Sequence, residues 1–159
     1  MKLYKAPQET PDLEIGEISI FLAGSIDMGS AENWQTRMEN DLVDIDNLVV
    51  YNPRRDDWDS SWVQDPTPGT QFHEQVTWEL DHIEASNLVV VYFADGSKSP
   101  ITLLELGLLA RMDKDVVVYC TPEFYRYGNV KVVADRYDIP VYHTYEALID
   151  QVRYFVEYN

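Results

Sequence analysis

Apolar residues along this chain fall into two alternating kinds of pattern. Short continuous apolar runs, bounded by turn-forming residues, are typical of strands that are buried on both faces of a sheet. Between these runs, apolar residues recur at three- and four-residue spacing, which is typical of amphipathic helices. The apolar runs predict five strands, at residues 17–23, 47–51, 88–93, 115–120 and 139–143.

The helical patterns separate these strands and close the chain. Their predicted starts are near Ser30, at Thr70, at Pro100, at Asn129 and after Thr144. Because strands and helices alternate and the connections are long enough for crossovers, we predict a doubly wound, five-stranded parallel α/β sheet of the flavodoxin or Rossmann type. Residues 1–16 lack clear periodicity and are expected to form an N-terminal arm, which leaves residues 17–159 as a single domain.

Composition narrows the classes of partner. The formal net charge is −16, with 12 Lys and Arg residues against 28 Asp and Glu residues. An extended nucleic-acid contact needs clustered basic residues, so we expect no nucleic-acid partner. The single Cys120 cannot form an intrachain disulfide, no signal-peptide pattern opens the sequence, and no apolar run has membrane-spanning length. We therefore expect a cytoplasmic protein without a membrane contact.

The most informative stretch is residues 97–107, SKSPITLLELG, which follows the third predicted strand. Ser99 is placed to cap a helix and Pro100 suits the first helical position. Glu105 then lies on an otherwise apolar helix, and ligands of open α/β sheets bind where such a helix begins. Spacing alone also allows Glu105 to lie on the solvent edge of that helix.

Two further features lie where the same crevice is expected. The turn Gly24-Ser25-Ile26 follows the first predicted strand, where glycine permits close backbone approach and the serine offers a hydroxyl. Glu79 lies on the helix before the third strand, so it could border the same crevice as Glu105. Each also has a simpler reading, as an ordinary turn and as a solvated helical charge. The three histidines have no metal-binding spacing.

Together these segments resemble the nucleoside 2-deoxyribosyltransferase family, which includes 2′-deoxynucleoside 5′-monophosphate N-glycosidases. The likeness spans about residues 17–120, and Glu-Leu-Gly is its most telling signature. The segments that carry it are FLAGSI at 21–26, NPRR at 52–55, WEL at 78–80 with ASNLVVV at 85–91, and SPITLLELG at 99–107.

The resemblance implies an enzyme that cleaves the N-glycosidic bond of a nucleoside or nucleotide, with or without transfer of the sugar to a second base. It implies that Glu105 is the nucleophile, that Glu79 contacts the base, and that no metal or organic cofactor takes part. A carboxylate can trap the oxocarbenium-like sugar covalently, as retaining glycosidases do. The leaving base then needs a proton or a hydrogen bond.

The expected substrate contacts extend over several loops. Gly24, Ser25, Ile26 and Ser99 are expected at the sugar or phosphate, and Asn52, Arg54, Arg55 and Trp58 at the base or phosphate. Trp58 and Trp62 could stack on a base, or could simply pack a surface loop.

The expected form of the substrate is left open by the sequence. A helix-capping Ser99 suits a 5′-phosphate, whereas Asp27 stands where the family's hydrolases carry an arginine and would repel one unless a nearby cation compensates. Phe21 replaces the family's first-strand tyrosine. In relatives an asparagine from a neighbouring subunit completes the site, which makes Asn129 a candidate by position and implies a homo-oligomer.

Two other functions fit the same sequence. One is a non-catalytic nucleotide-binding module on this fold, since fold does not fix function. The other is a glycohydrolase of a different nucleotide. The sequence does not separate transferase from hydrolase, because the two differ only in whether a second base or water reaches the intermediate.

Overall fold

The computed structural model describes residues 1–26, 33–55 and 61–159 as one parallel sheet with helices on both faces. The strands are β1 (Lys2–Lys5), β2 (Ile18–Gly24), β3 (Leu48–Asn52), β4 (Leu88–Phe93), β5 (Asp115–Cys120) and β6 (Val141–Tyr142). The helices are α1 (Trp34–Leu42), α2 (Gln71–Ala85), α3 (Pro100–Leu109), α4 (Tyr127–Arg136) and α5 (Tyr145–Tyr158). Ser30, the expected start of the first helix, lies outside the described residues, and Asn33 caps α1 through the backbone N–H of Thr36.

The sheet has six strands in the order β1-β3-β2-β4-β5-β6, so the prediction of five strands is wrong by one. The additional strand, β1, comes from the stretch that was expected to be an arm. It is short and pairs only with β3, through the register Leu3↔Val50. An edge strand is not enclosed on both sides, so its sequence carries no continuous apolar run to reveal it.

Alternate residues of the strands point into two separate cores, as expected for a sheet covered on both faces. Ile20, Leu22 and Val90 belong to the core that α1 and α5 cover. Phe21 and Val91 belong to the opposite core, which contains residues of α2, α3 and α4. The α/β class is therefore confirmed, with the helices distributed as in a doubly wound sheet.

The sheet order creates one point where the chain leaves in opposite directions. From β2 the chain crosses to β3 on one side, whereas β4 pairs with the other side of β2 through Gly24↔Tyr92. Loops after such neighbouring strands diverge and leave a crevice at the carboxyl edge of the sheet. The loops after β2 and β4 therefore frame the expected binding position.

Across the described parts of the chain, none of the helices combines the length and apolar character needed to cross a membrane.

Candidate active site

Three buried serine hydroxyls join the loops that follow β2 and β4. Ser25 comes directly after β2, whereas Ser97 and Ser99 lie in the loop before α3. The Oγ atoms of Ser25 and Ser97 are 2.9 Å apart, those of Ser97 and Ser99 are 2.6 Å apart, and Ser25 also hydrogen-bonds Ser99. The two serines that were expected at the sugar or phosphate are therefore in direct contact, and their role in substrate binding stays a prediction.

The main chain holds Ser25 in the same position. Its N–H donates to the carbonyl of Tyr92 over 3.0 Å, and its Oγ accepts from the N–H of Ala94 over 3.1 Å. The indole Nε1 of Trp34 donates to the Ser25 carbonyl over 3.1 Å. These hydrogen bonds connect the ends of β2 and β4 to each other and to Trp34 of α1, so they fix the position of the turn after β2.

Gly24 is required at this turn because there is no room for a side chain. A Cβ there would lie 2.6 Å from Cζ2 of Trp34 and 2.6 Å from the carbonyl oxygen of Tyr92. The indole of Trp34 stacks on the Tyr92 ring with centroids 4.6 Å apart. Gly24 therefore lets the Trp34–Tyr92 pair pack against the end of β2. Ile26, the residue after Ser25, is half-buried.

Ser99 occupies the N-cap position of α3, but its side chain makes no capping hydrogen bond, contrary to expectation. Its backbone adopts the left-handed conformation with φ of 42°, which is unfavourable for a residue with a side chain. In that conformation the Ser99 hydroxyl hydrogen-bonds Ser25 and Ser97 instead of the helix. Pro100 begins the helix as predicted, and the first N–H groups of α3 lack partners within the helix, as at any helix start.

Glu105 is buried on α3, with 8% of its surface exposed. It accepts no hydrogen bond from the parts of the chain that the structure describes, and its helical neighbours include the buried Thr102 and Leu106. Burial, reinforced by the negative charge of Glu79, raises the pKa of Glu105 to about 8. The solvent-edge alternative for this side chain is therefore excluded.

Glu79 lies on α2 and is half-buried. Its Oε1 accepts a hydrogen bond from Nε2 of Gln75 over 2.8 Å. Burial raises its pKa, and the hydrogen bond from Gln75 partly opposes that rise. The charge of Glu79 makes ionisation of Glu105 more costly, and carboxyl groups coupled in this way titrate together.

The end of β3 is held by a network of polar side chains. The side chain of Asn52 is buried; its Nδ2 donates to Glu39 on α1 over 2.5 Å, and its Oδ1 accepts from the N–H of Arg54 over 2.8 Å. The carbonyl of Pro53 accepts from Nε2 of Gln75 over 2.9 Å. Asn52 therefore shapes the loop after β3 with both ends of its amide, and each end keeps capacity for one further hydrogen bond.

The two arginines that follow have different environments. Nη1 of Arg54 is buried without a hydrogen-bond partner within the described ranges. The guanidinium of Arg55 lies 4.8 Å from the ring centroid of Trp62, so this indole stacks on a cation rather than standing open for a base. Trp58 and Asp27 lie outside the described residues.

Asn129 does not join this cluster within one chain. It is exposed on α4 and lines an open groove of about 350 Å³ with Leu103, Leu106 and Gly107 of α3. Its assignment as a substrate-binding residue therefore rests on a neighbouring subunit and remains a prediction.

Sequence reasoning missed three polar residues of this region. Ser97 completes the serine cluster, Gln75 joins Glu79 to the loop after β3, and Gln35 on α1 is fully buried. The repeated serines of the stretch Gly96-Ser97-Lys98-Ser99 were the available signal for the first. The two glutamines carried no signal, because a polar residue on a helix is ordinarily exposed.

These features define an α/β protein with two carboxyl groups, the buried Glu105 and the half-buried Glu79, on the helices before and after β4. The sequence family described as "Nucleoside 2-deoxyribosyltransferase like" matches residues 17–124, and the chain belongs to that family. The match confirms the resemblance drawn from the motifs. It associates the protein with nucleoside chemistry of the glycosyl-transfer type and with a small-molecule nucleoside substrate.

A solved structure supports the fold independently. The crystal structure of a conserved protein from Enterococcus faecalis V583 is similar over 86% of this chain and 98% of that chain, with a TM-score of 0.64 and 12% identity. At that identity the similarity concerns the fold alone. No curated protein matches the sequence.

Proposed function

We propose that this protein cleaves the N-glycosidic bond of a 2′-deoxynucleoside or its 5′-monophosphate through a covalent glycosyl-enzyme intermediate on Glu105. The observation that carries the proposal is a buried carboxyl without a hydrogen-bond partner in the described chain, beside a second carboxyl at the sheet's switch point. A carboxyl kept for stability would be paired or exposed, since burying an unpaired one is unfavourable.

The reaction uses the two carboxyl groups in different protonation states. A carboxylate oxygen of Glu105 attacks C1′ while the bond from C1′ to the base nitrogen breaks, and the electron pair of that bond leaves with the base. Glu79 gives its proton to the base, which departs neutral. Water then attacks C1′, gives a proton to the Glu79 carboxylate and releases Glu105 as a carboxylate; an acceptor base attacks in the same way and loses its proton to Glu79.

The pair must hold a single proton for this reaction. In the free protein the hydrogen bond from Gln75 favours the ionised form of Glu79, and burial favours the protonated form of Glu105. Substrate binding therefore has to leave the proton on Glu79, beside the base, so that Glu105 can attack. Both carboxyls have raised pKa values, so each can hold the proton while the other is ionised.

Two candidate groups could bind a 5′-phosphate. The start of α3 offers backbone N–H groups next to Ser99, and Nη1 of Arg54 is a buried donor without a partner in the described residues. The serine hydroxyls already bond one another, so a phosphate would have to replace part of that cluster. Nucleosides and monophosphates should therefore be compared directly.

The oligomeric part of the proposal concerns α3. Ile101, Leu104 and Leu108 form an exposed apolar stripe on this helix, on the same element that carries Glu105. A second copy packed against α3 would cover these residues and bring the exposed Asn129 near a neighbouring site. Sedimentation of the wild type against Leu104→Glu tests this, and a monomeric wild type with full activity would contradict it.

Base release tests the enzymatic proposal. The protein is incubated with deoxynucleosides and their 5′-monophosphates, with and without a free acceptor base, and products are separated by chromatography. A new nucleoside formed only with acceptor identifies a transferase, whereas free base and deoxyribose or its phosphate identify a hydrolase.

Matched variants connect any activity to the site. Glu105→Gln should lose at least about a thousandfold in kcat, since it removes the nucleophile. Glu74→Gln changes an exposed acid on α2 and should leave turnover unchanged. Turnover of Glu105→Gln at the wild-type rate would overturn the proposal, as would the absence of base release from every substrate.

A further inference from the structure

In the described chain, the Nε2 group of the Gln75 amide makes two hydrogen bonds and its Oε1 makes none. Gln75 is buried on α2, and its Nε2 donates to the Pro53 carbonyl over 2.9 Å and to Oε1 of Glu79 over 2.8 Å. Its Oε1 is buried without a hydrogen-bond partner in the chain as described. A buried acceptor left unpaired is unfavourable, so this atom requires a donor that the described residues do not supply.

The orientation of this amide is fixed by its neighbours. A carbonyl such as that of Pro53 only accepts hydrogen bonds, so it must face the NH₂ group and not the oxygen of Gln75. Both N–H bonds of that group are then used, one by Pro53 and one by Glu79. The atom left to face a ligand is therefore an acceptor, and it cannot be exchanged for a donor without breaking both bonds.

Glu79 supplies the complementary group beside it. Residues four apart lie on the same face of a helix, so Gln75 and Glu79 present their side chains together. Oε1 of Glu79 receives the bond from Gln75, which leaves Oε2 to carry the proton that the base takes. Side by side, the two residues thus present one O–H donor and one acceptor oxygen.

A second buried amide, that of Gln35 on α1, is also unpaired. Neither its Oε1 nor its Nε2 has a partner within residues 1–26, 33–55 and 61–159. Gln35 lies one helical turn before Glu39, which bonds Asn52 at the end of β3.

We propose that Gln75 and Glu79 together recognise a base that carries a ring nitrogen acceptor beside an exocyclic amino group. This inference rests on the proposed function. Adenine presents that pattern at N7 and its N6 amino group, and cytosine presents it at N3 and its N4 amino group. Guanine presents two acceptors, N7 and O6, on the same edge, and so does hypoxanthine. With these bases the acceptor of Gln75 would face a second acceptor.

The test compares substrates in which an oxo group replaces that exocyclic amino group. Base release is measured for deoxyadenosine against deoxyinosine, and for deoxycytidine against deoxyuridine, as kcat/KM. A site built to hydrogen-bond an N–H rejects the analogue that lacks it, and an unpaired buried acceptor corresponds to a preference of about 10- to 100-fold. Binding of free adenine and free hypoxanthine is measured in parallel by calorimetry, which needs no turnover.

Variants assign the preference to the residue. Gln75→Met keeps the length of the side chain but removes both amide groups, so the preference should fall to about threefold or less. Gln71→Met changes an exposed glutamine of the same helix and should retain the full preference. Circular dichroism confirms that both variants are folded, and if Gln75→Met does not fold, the wild-type substrate ratios still decide the inference.

The outcomes separate this inference from the enzymatic proposal. Equal kcat/KM for amino and oxo bases in the wild type overturns the inference while the glycosidase proposal stands. A preference that survives in Gln75→Met overturns the role of Gln75. If no substrate releases its base, the proposed function fails. Selective binding of adenine would then still support recognition by this edge, and equal binding of the two bases would overturn it.

Discussion

The buried carboxyl of Glu105 should make the protein less stable as the pH rises. Its pKa is raised from an ordinary value of 4.5 to about 8, first by burial and then by the charge of Glu79. A carboxyl with a raised pKa binds more protons in the folded chain than in the unfolded chain between these two pH values. The free energy of unfolding must therefore fall with rising pH across that interval. The change Glu105→Gln removes this ionisation and should remove that part of the fall.

The size of the effect follows from the two pKa values. Each pH unit between about pH 5 and about pH 8 should lower the wild-type free energy of unfolding by about 1.4 kcal/mol relative to the variant. At about pH 7 the accumulated difference is about 3 kcal/mol in favour of Glu105→Gln. Above about pH 8 the group is ionised in both states, so the difference should stop growing.

Urea unfolding at a series of pH values measures this difference directly, because the slope m should be the same for both proteins and only the midpoint should move. Glu74→Gln, an exposed acid on α2, is the control and should follow the wild type at every pH. A gap between the wild type and Glu105→Gln that stays constant from about pH 5 to about pH 8 would refute the reasoning. It would mean that Glu105 ionises as an ordinary exposed carboxyl does.

Three other predictions concern the site and its surroundings. The pH profile of kcat/KM should fall above about pH 8, where the carboxyl pair loses its last proton. Glu79→Gln should abolish that falling limb, and an unchanged limb would contradict a shared proton. Gly24→Ala should lower the free energy of unfolding by about 1–3 kcal/mol, because a Cβ there meets atoms at 2.6 Å. A Cβ at Gly128 meets nothing within 4 Å, so the control Gly128→Ala should not destabilise the protein in thermal unfolding. Burial lowers the pKa of His82, whose Nε2 lies 3.0 Å from the hydroxyl of Thr10, so acidification should loosen residues 8–10. Hydrogen exchange of these residues measures the effect. Exchange that does not depend on pH, after correction for the intrinsic rate, would argue against it.

Most of the fold could be predicted from the sequence because its strands are enclosed on both sides. The runs that form β4 and β5 predict those strands at the bounds that the structure gives them. The edge strand β1 could not be found in the same way. Only its pairing with β3 makes it a strand, and pairing between distant segments leaves no local pattern.

The helices that border the site follow the sequence pattern least well. On α3, Ile101, Leu104 and Leu108 are exposed, whereas Thr102 and Glu105 are buried. Periodicity orients a helix by its apolar residues and would place these groups the other way round. On α2 the same rule predicts an inward Leu80, but Leu80 is exposed and the helix buries Gln75 and His82.

Residue chemistry located the carboxyls and two of the serines, but not their contacts. Ser25, Ser99 and Glu105 stood out because they follow strands, and Glu79 because it lies on the helix before one; the structure brings both serines into contact. The bond from Asn52 to Glu39 joins the end of β3 to α1, and the stacking of Arg55 on Trp62 depends on how the loop after β3 folds. Residue spacing reveals neither contact.

The unfavourable features of this molecule are concentrated around one edge of the sheet. Ser99 is in a left-handed conformation, Glu105 is buried without a hydrogen bond within the described chain, and the amides of Gln35 and Gln75 are wholly or partly unpaired. Each feature costs free energy on its own, and each could be removed by a single substitution. A chain selected for stability alone would lack them. A second left-handed residue with a side chain, Asp138 between α4 and β6, lies elsewhere. Ser99 and Glu105, however, follow β4, and Gln75 bonds the loop after β3. This grouping is a physical argument that a polar ligand binds there, and it does not depend on family membership.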